Sequence, residues 1–550
     1  MASKTLIAPT PRLRLAAALH WLQVQTLERP AVTVGLALAL FLASSVLVLT
    51  NLVNHDVSWF YYMSQRWLDG ARLYVDLIDM NLPLVVYVGV PPAWLAAALG
   101  LPAIPTLQLY ILAWLLATLA FDWWLLNRLA LPQAMAARGL FFLALTLLLF
   151  PFFDFGQREH LMLMLVMPYL IVSTGQAAGR APGRRARWLA GALAGLGLAL
   201  KPYFILLWLA VMLYAAFTRR GPAAWRRPEN HAIALVVALY GLAVVAFTPE
   251  YFTVAALALQ AYGAFNTPLA TLVNYYVVPL ALVVVAAWAL WRRYAESPEL
   301  GDTLAVALLA LLAGALFQEK GWGYQFYPSN TLLVLLALLV FMAFARRAPA
   351  SAGLLRLSAA GAGLTALGVV GALAGALLLA PIAPTPQQPA ANDVIATIVH
   401  YFSHAETREL ATRVAAYARP GDTFYAFTPS VGPSFPIVHL TGTRWPTRFH
   451  HLWPLPAQYR DADRQAVPFP YHAPAQMGPV ERFTFQATIA DLRAHPPAVV
   501  LVDTVADKQG FGVTTFDYLE YFGQDPDFAA WWAGYRFVEQ VGTFRLYTRR

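Results

Sequence analysis

From Ala31 to Ala380 the sequence is a series of apolar runs, each closed by a short cluster of arginines or a short polar segment. This pattern decides the class of fold. A helix that spans a bilayer needs about 20 predominantly apolar residues, and no soluble core can bury run after run of that kind. With 59% of 550 residues hydrophobic and 12% charged, the chain is expected to be a polytopic α-helical membrane protein. The formal charge of +9 sits between apolar runs, as cytoplasmic loops place it, so nucleic acid is not an expected partner. The chain has no cysteine, which excludes disulfides, thiolate nucleophiles and Cys-ligated metals.

The basic clusters also orient the chain. Arg12, Arg14 and Arg29 precede the first run, so residues 1–30 are expected to be a cytoplasmic leader. Its "PRLRLAAALHWLQVQ" can lie on the inner surface as an amphipathic helix. The run at 31–53 is too long for a signal-peptide core and reads as a retained anchor. Further clusters are Arg128/Arg138, Arg180/Arg184/Arg185/Arg187, Arg219/Arg220/Arg226/Arg227, Arg292/Arg293 and Arg346/Arg347/Arg356. If all face the cytoplasm, an even number of crossings separates each from the next. The stretch 83–100, "PLVVYVGVPPAWLAAALG", is then expected to lie at the outer interface or re-enter it. Crossings at 31–53, 105–127, 139–153, 160–173, 188–200, 203–217, 231–247, 272–291, 302–317, 329–345 and 354–380 make about eleven transmembrane helices. They form a membrane domain over 31–380. After the Pro-rich "APIAPTPQQPA" the composition turns polar. Residues 392–550 read as a small α/β domain outside the membrane, with strands at "TFYAFT" and "AVVLVD" and helices at "DVIATIVHYFSHAETRELATRVAAYA" and "DFAAWWAGY".

Parity places four polar segments on the outer side. The first is "NHDVSWFYYMSQRWLDGARLYVDLIDMNLPL" (Asn54–Leu84), with His55, Asp56, Asp69, Asp76 and Asp79. The others are "DFGQREH" (Asp154–His160), "LKPY" around Lys201, and "FQEKGWGYQFYP", which carries Glu319, Lys320, Tyr324, Gln325 and Tyr327. Ionisable groups at membrane depth are costly and usually face a cavity with a partner. Carboxylates can take a proton from an attacking hydroxyl, and lysines can neutralise a phosphate leaving group. Each residue also has a plain structural reading. Asp69, Asp76 and Asp79 suit turns, Lys201 can snorkel, and Lys320 with its rings can belong to an interfacial belt. Arg158 and Glu159 suit a helix start, and His55 and His160 suit hydrogen-bonded loops. The joint placement on one face carries the functional reading.

With these segments the chain resembles the GT-C superfamily of membrane glycosyltransferases, which includes protein O-mannosyltransferases, aminoarabinose transferases and arabinosyltransferases. "NHDVSWFYYMSQRWLDGARLYVD" looks like the family's first outer loop, with Asp56 at its acidic position. "LDGARLYVDLIDMNLPL" is similar to the pattern that follows, with "NLPL" where a double proline is common. Glu159, or Asp154 as the alternative, fits the second acidic position. Lys201 in "GLALKPYF" fits the lysine that tops a later hairpin, and "EKGWGYQFYP" resembles the loop that closes on the lipid phosphate.

The resemblance implies transfer of a sugar from a polyprenyl-phosphate donor to a glycan, lipid or protein acceptor, with inversion, at the outer face of an inner (plasma) membrane. Its C-terminal domain would be periplasmic, where its "TGTRWPTRFHHLW" could bind acceptor, although packing of those rings and arginines against the membrane domain is the plainer reading. Asp56 would be the catalytic base, with Glu159 as a second catalytic acidic residue. Lys201 and Lys320 would hold the phosphate and Arg158 would assist. His55, Asp76, Tyr324, Gln325 and Tyr327 would contact substrate. No cofactor is required by the sequence. Some family members use a divalent metal, and His55, Asp56 and Glu159 could form a hard-ligand site, although no spacing demands one. The alternatives are a transporter or flippase, which predicts paired broken helices near the midplane, a polymerase of lipid-linked saccharides, and a non-catalytic scaffold.

Overall fold

The apolar runs are helices. The computed structural model describes residues 29–129, 131–220, 224–347, 405–460, 462, 469–513 and 516–550. Seven described helices are long and apolar enough to cross a bilayer: Pro30–Thr50, Ala103–Leu126, Arg158–Ala177, Pro228–Phe247, Val277–Tyr294, Pro298–Phe317 and Gly323–Phe344. Three more expected crossings are shorter helices, Gln133–Leu148, Arg184–Ala199 and Pro202–Thr218. The protein is a multi-pass membrane protein. The leader to residue 28, the last expected span at 354–380, the linker after it and the first half of the helix expected from 393 lie outside the described residues.

The helix Arg158–Ala177 forms the centre. Its sequence is apolar all round, and its residues from Arg158 to Gly175 are buried, as expected of a helix packed on every side. Small residues let a neighbour approach it. A Cβ at Gly197 would stand 3.0 Å from Met162 O, and one at Gly191 would stand 2.2 Å from Glu229 O. The "GALAGLG" of Arg184–Ala199 therefore sits close against two helices at once, as small residues do in membranes. Basic side chains gather at the ends away from the polar segments. There Arg180 Nη1 donates to Leu129 O (3.0 Å) and Arg187 Nε to Glu229 Oε2 (2.8 Å).

The first outer segment builds its own helix, His55–Leu68. Asn54 caps it, its side chain accepting from Asp56 N at 2.8 Å, and the chain turns out at Gly70 with φ +94°. The helix Leu84–Leu99, which contains Pro91 and Pro92, packs against it. Ser64 Oγ donates to Val86 O (2.7 Å), and a Cβ at Gly89 would stand 2.4 Å from Ser64 Oγ. A further helix, Glu250–Ala261, follows the crossing at Pro228–Phe247 and was not expected from the sequence.

The C-terminal part carries a four-stranded sheet in the order β1-β2-β6-β5. β1 (Phe424–Phe427) and β2 (Val499–Asp503) are the two expected strands and pair in parallel, Ala426 opposite Leu501. Both are buried along nearly their whole length, which is why they read as continuous apolar runs. β5 (Tyr535–Val541) and β6 (Phe544–Arg549) form an antiparallel hairpin around Gly542, and β6 lies against β2 with Leu546 opposite Leu501. A two-residue pair, β3 (Asp507–Lys508) and β4 (Gly512–Val513), lies apart. "DFAAWWAGY" is helical over Pro526–Trp532.

This α/β part docks on the first outer segment. Ile78 N donates to Arg448 O (2.8 Å), and Trp445 N donates to the Tyr62 hydroxyl (3.0 Å). Ser58 Oγ donates to Phe435 O (2.6 Å) and lies 2.7 Å from His439 Nδ1.

Candidate active site

The polar segments converge on one cavity of about 780 Å³ between the ends of the helices that carry them and the C-terminal part. Of the residues singled out from sequence, His55, Asp56, Asp79, Asp154, Arg158, Lys201, Glu319, Lys320, Tyr324 and Gln325 line it.

Asp56 sits in the first turn of the outer helix, where a carboxylate suits the helix dipole. Its side chain is 15% exposed and opens on the cavity. Oδ2 accepts from Gln157 Nε2 (2.9 Å) and stands 3.6 Å from Arg158 Nη2, while Oδ1 is 3.6 Å from His55 Nε2. Burial pushes the carboxyl up. His55, Arg158, the Gln157 amide and His450 outweigh it and hold Asp56 below the ordinary carboxylate value, so it is an ionised acceptor of protons at neutral pH.

Amides frame this carboxylate. Asn54 Oδ1 accepts from Gln157 Nε2 (3.0 Å) and its Nδ2 donates to Asp154 Oδ1 (3.0 Å). Asp154 behaves differently from Asp56. Burial, with Glu159 and Asp56 as like-charged neighbours, pushes it up to about 7, against the Asn54 hydrogen bond. Asp79 is buried and fully used. Trp59 Nε1 donates to its Oδ2 (2.8 Å), and the backbone and side-chain nitrogens of Asn81 donate to its Oδ1 (2.7 Å each). Arg158, 3% exposed, hydrogen-bonds Asn81 Oδ1 and stacks over Phe60 at 4.8 Å. Tyr74 holds this loop. It takes a φ of +66°, a conformation that costs a non-glycine residue about 1–3 kcal/mol, and its hydroxyl donates to Asn81 O (2.7 Å).

Lys201 stands where Arg184–Ala199 ends. Its Nζ donates to Glu159 Oε1 at 2.5 Å and lies 5.1 Å from the centre of the Tyr324 ring. Burial, with Arg158 nearby, pushes it down to about 8 despite Glu159. Lys320 donates to Tyr262 O (2.8 Å) and to Asn266 Oδ1, and lies 4.5 Å from the Tyr262 ring. Burial takes it down to about 8 as well, against the charge of Glu319. The loop that carries it also contains a non-glycine residue at positive φ, Glu319 at +53°, whose carbonyl accepts from Thr267 N (2.6 Å).

Three sequence assignments change. Glu159 is 1% exposed and lies behind Lys201, so it positions the lysine and does not line the cavity. Asp76 accepts from Arg72 N (2.8 Å) with its side chain 48% exposed. It is a turn residue outside the cavity, because the loop turns Asp79 inward instead. Tyr327 is buried with its hydroxyl donating to Thr146 O (3.2 Å) and packs between helices. His160, expected in a loop, lies in the first turn of the helix Arg158–Ala177 and is structural: its Nδ1 accepts from Gly156 N (3.1 Å) and its Nε2 is bound to Leu147 O (2.9 Å). Because Glu159 turns to Lys201, the set His55, Asp56 and Glu159 does not converge. Among the described residues no group of three such side chains is gathered for a metal.

The structure adds residues that the sequence reading missed. Asn54, Gln157 and Asn81 make the hydrogen-bonding frame, and amides beside ionisable residues in "VNHD" and "GQRE" were the available signal. Tyr262 and Asn266 come from the segment after the helix Glu250–Ala261, which parity also places outside. His450 and His451 come from the C-terminal part and lie in "TGTRWPTRFHHLW", the segment the sequence offered as an acceptor contact without singling out a residue.

No protein-family model matches the chain, and no curated protein matches it. Among solved structures, ArnT from Cupriavidus metallidurans bound to undecaprenyl phosphate aligns over 94% of this chain and 97% of its own, with 15% identity and a TM-score of 0.54. The apo state of the same protein aligns over 96% and 98%, with 14% identity and a TM-score of 0.53. These two matches show that the chain shares the fold of that membrane protein over nearly its whole length.

Proposed function

We propose that the protein is a membrane glycosyltransferase that moves a sugar from a polyprenyl-phosphate donor to an acceptor hydroxyl at the outer face of the membrane. The observation that carries this reading is the single cavity that holds an ionised carboxylate, Asp56, together with Arg158, Lys201 and Lys320. The shared fold with a protein solved with undecaprenyl phosphate supports it.

In the reaction, the acceptor oxygen bonds to C1 of the donor sugar from the face opposite the phosphate. The C1–O bond to phosphate breaks and its electron pair leaves with the polyprenyl phosphate. Asp56 takes the hydroxyl proton. Its lowered proton affinity at rest suits a step in which the hydroxyl loses its proton late, as the C1–O bond forms. Lys201, Lys320 and Arg158 offset the charge that grows on the leaving phosphate. Glu159 holds the Lys201 ammonium in place. One displacement inverts the anomeric centre. The membrane would be the inner (plasma) membrane, with the cavity and the C-terminal domain on its periplasmic side.

Binding of undecaprenyl phosphate to the purified chain in lipid nanodiscs tests the reading. Lys320→Met removes an ammonium that contacts only neutral oxygens among the described residues and should weaken binding roughly 10- to 100-fold, the worth of a charged hydrogen bond. Lys201→Met alone would strand the buried Glu159, so the informative variant is Lys201→Met with Glu159→Gln. Undiminished binding in both variants would defeat the proposal.

A further inference from the structure

The cavity divides by charge. Its cations, Arg158, Lys201 and Lys320, all come from the helical part. The C-terminal part contributes Pro429, Ser430, Val431, His450, His451 and Gln509, and none of the six carries a fixed charge. The two histidines are 3% and 8% exposed, and the Nδ1 atom of each is buried without a hydrogen-bond partner. Burial lowers the proton affinity of both. Asp79 and Asp56 oppose this at His450, while His450 and His55 add to it at His451. Both rings are therefore neutral at physiological pH.

The pair is held in a fixed place. His450 stacks on Trp59 with ring centres 4.7 Å apart and meets His451 edge-on at 4.2 Å. Its Nε2 is 3.8 Å from Asp79 Oδ2. The same wall reaches the base: a Cβ at Gly432 would stand 3.7 Å from His55 Nδ1, and His55 adjoins Asp56. A group bound here meets neutral imidazoles, which offer both donor and acceptor nitrogens, and two carboxylates, Asp56 and Asp79. Among the described residues this wall offers a phosphate or carboxylate no cation of its own, the nearby Arg158 being engaged with Asp56 and Asn81, and the two carboxylates would repel it. A sugar ring, rich in hydroxyls and without charge, fits both conditions.

We propose that this wall is the acceptor subsite and takes an uncharged, hydroxyl-bearing sugar, so that the attacking group is a sugar hydroxyl and not a phosphate or carboxylate. The inference rests on the transferase reading above. His451 is a specificity-determining residue whose unpartnered nitrogen is satisfied when the acceptor binds.

Saturation-transfer NMR on the full chain in nanodiscs tests it, with a panel of neutral methyl glycosides against glucose 1-phosphate and glycerol phosphate. Neutral glycosides should bind and the phosphates should not displace them. His451→Leu should weaken glycoside binding about tenfold, and His451→Gln, which keeps a hydrogen-bonding group, should restore most of it. Undecaprenyl phosphate should bind the wild type and His451→Leu equally. Glycoside binding unaffected by His451→Leu, displacement by the phosphates, or no glycoside signal while undecaprenyl phosphate still binds would each overturn the acceptor proposal. Failure of the wild type to bind undecaprenyl phosphate would instead overturn the transferase reading.

Discussion

At the residue scale, the cavity holds carboxyl groups with opposed tendencies. Asp56 is held ionised by its neighbours, whereas Asp154 is pushed up to about 7 from an ordinary 3.8. Between those two values the folded chain keeps a proton at Asp154 that the unfolded chain has released, so this group makes stability fall as pH rises through that window. Thermal unfolding in detergent should show a loss of stability from about pH 4 to 7 that is smaller in Asp154→Asn; an identical slope in the variant would reject the assignment. The lysines make a second prediction. Lys201 and Lys320 both release protons near pH 8, so the affinity of the free protein for undecaprenyl phosphate should fall as pH rises through about 8. A flat affinity from pH 7 to 9 would count against their contact with phosphate. Much of this site was legible residue by residue. Asp56, Arg158, Lys201 and Lys320 stand out because charge is rare in an apolar chain. Asp76 and Asp79 could not be told apart, because their difference is the path of one loop held by the Tyr74 hydroxyl. The segment "TGTRWPTRFHHLW" stands out in sequence as able to meet an acceptor or to pack on the helical part; which of its residues reach the cavity depends on docking between distant parts of the chain, which no local pattern encodes.

At the scale of elements, apolar length and small residues explain the helical packing. A Cβ at Gly197 would already stand only 3.0 Å from Met162 O and 3.1 Å from Leu165 Cβ, so Gly197→Leu should drive two central helices apart. Overpacking of this kind costs about 1–3 kcal/mol or more. The expected readout is a lower unfolding temperature together with weaker undecaprenyl phosphate binding, since Lys201 ends the displaced helix. An unchanged unfolding temperature would show that the helices tolerate the larger side chain. The helices expected from apolar runs are present among the described residues, because burial in lipid leaves the backbone few other solutions, but the one expected at 139–153 lies earlier, at Gln133–Leu148, and the one expected from 272 begins at Val277. The helix Glu250–Ala261 was missed because its sequence, "EYFTVAALALQA", blends into the apolar runs around it. The hairpin of β5 and β6 was missed although "YRFVEQVGTFRLYT" alternates around a glycine, a pattern that suits a half-buried strand pair.

At the scale of the whole molecule, one shared site requires the polar segments to lie on one side of the membrane. Their convergence on one cavity agrees with the parity of the arginine clusters. Single cysteines at Leu84→Cys and Pro102→Cys, in a chain with no native cysteine, should both be labelled from the outside, because the helix between them lies along the outer helix His55–Leu68. Labelling from opposite sides would break the parity. A reporter fused after Pro384 should likewise behave as exported. The central claim is that Asp56 is the base of a sugar transfer at this cavity. Its most direct test is turnover of undecaprenyl-phosphate-linked sugar by purified protein in nanodiscs, measured beside undecaprenyl phosphate affinity. Asp76→Asn, outside the cavity, serves as the control. Asp56→Asn should lose roughly 10²–10⁴-fold in turnover, the usual worth of a general base, or about 3–5 kcal/mol of transition-state stabilisation, with affinity unchanged within about twofold. Full turnover in Asp56→Asn, or a loss matched by an equal loss in Asp76→Asn, would contradict the account.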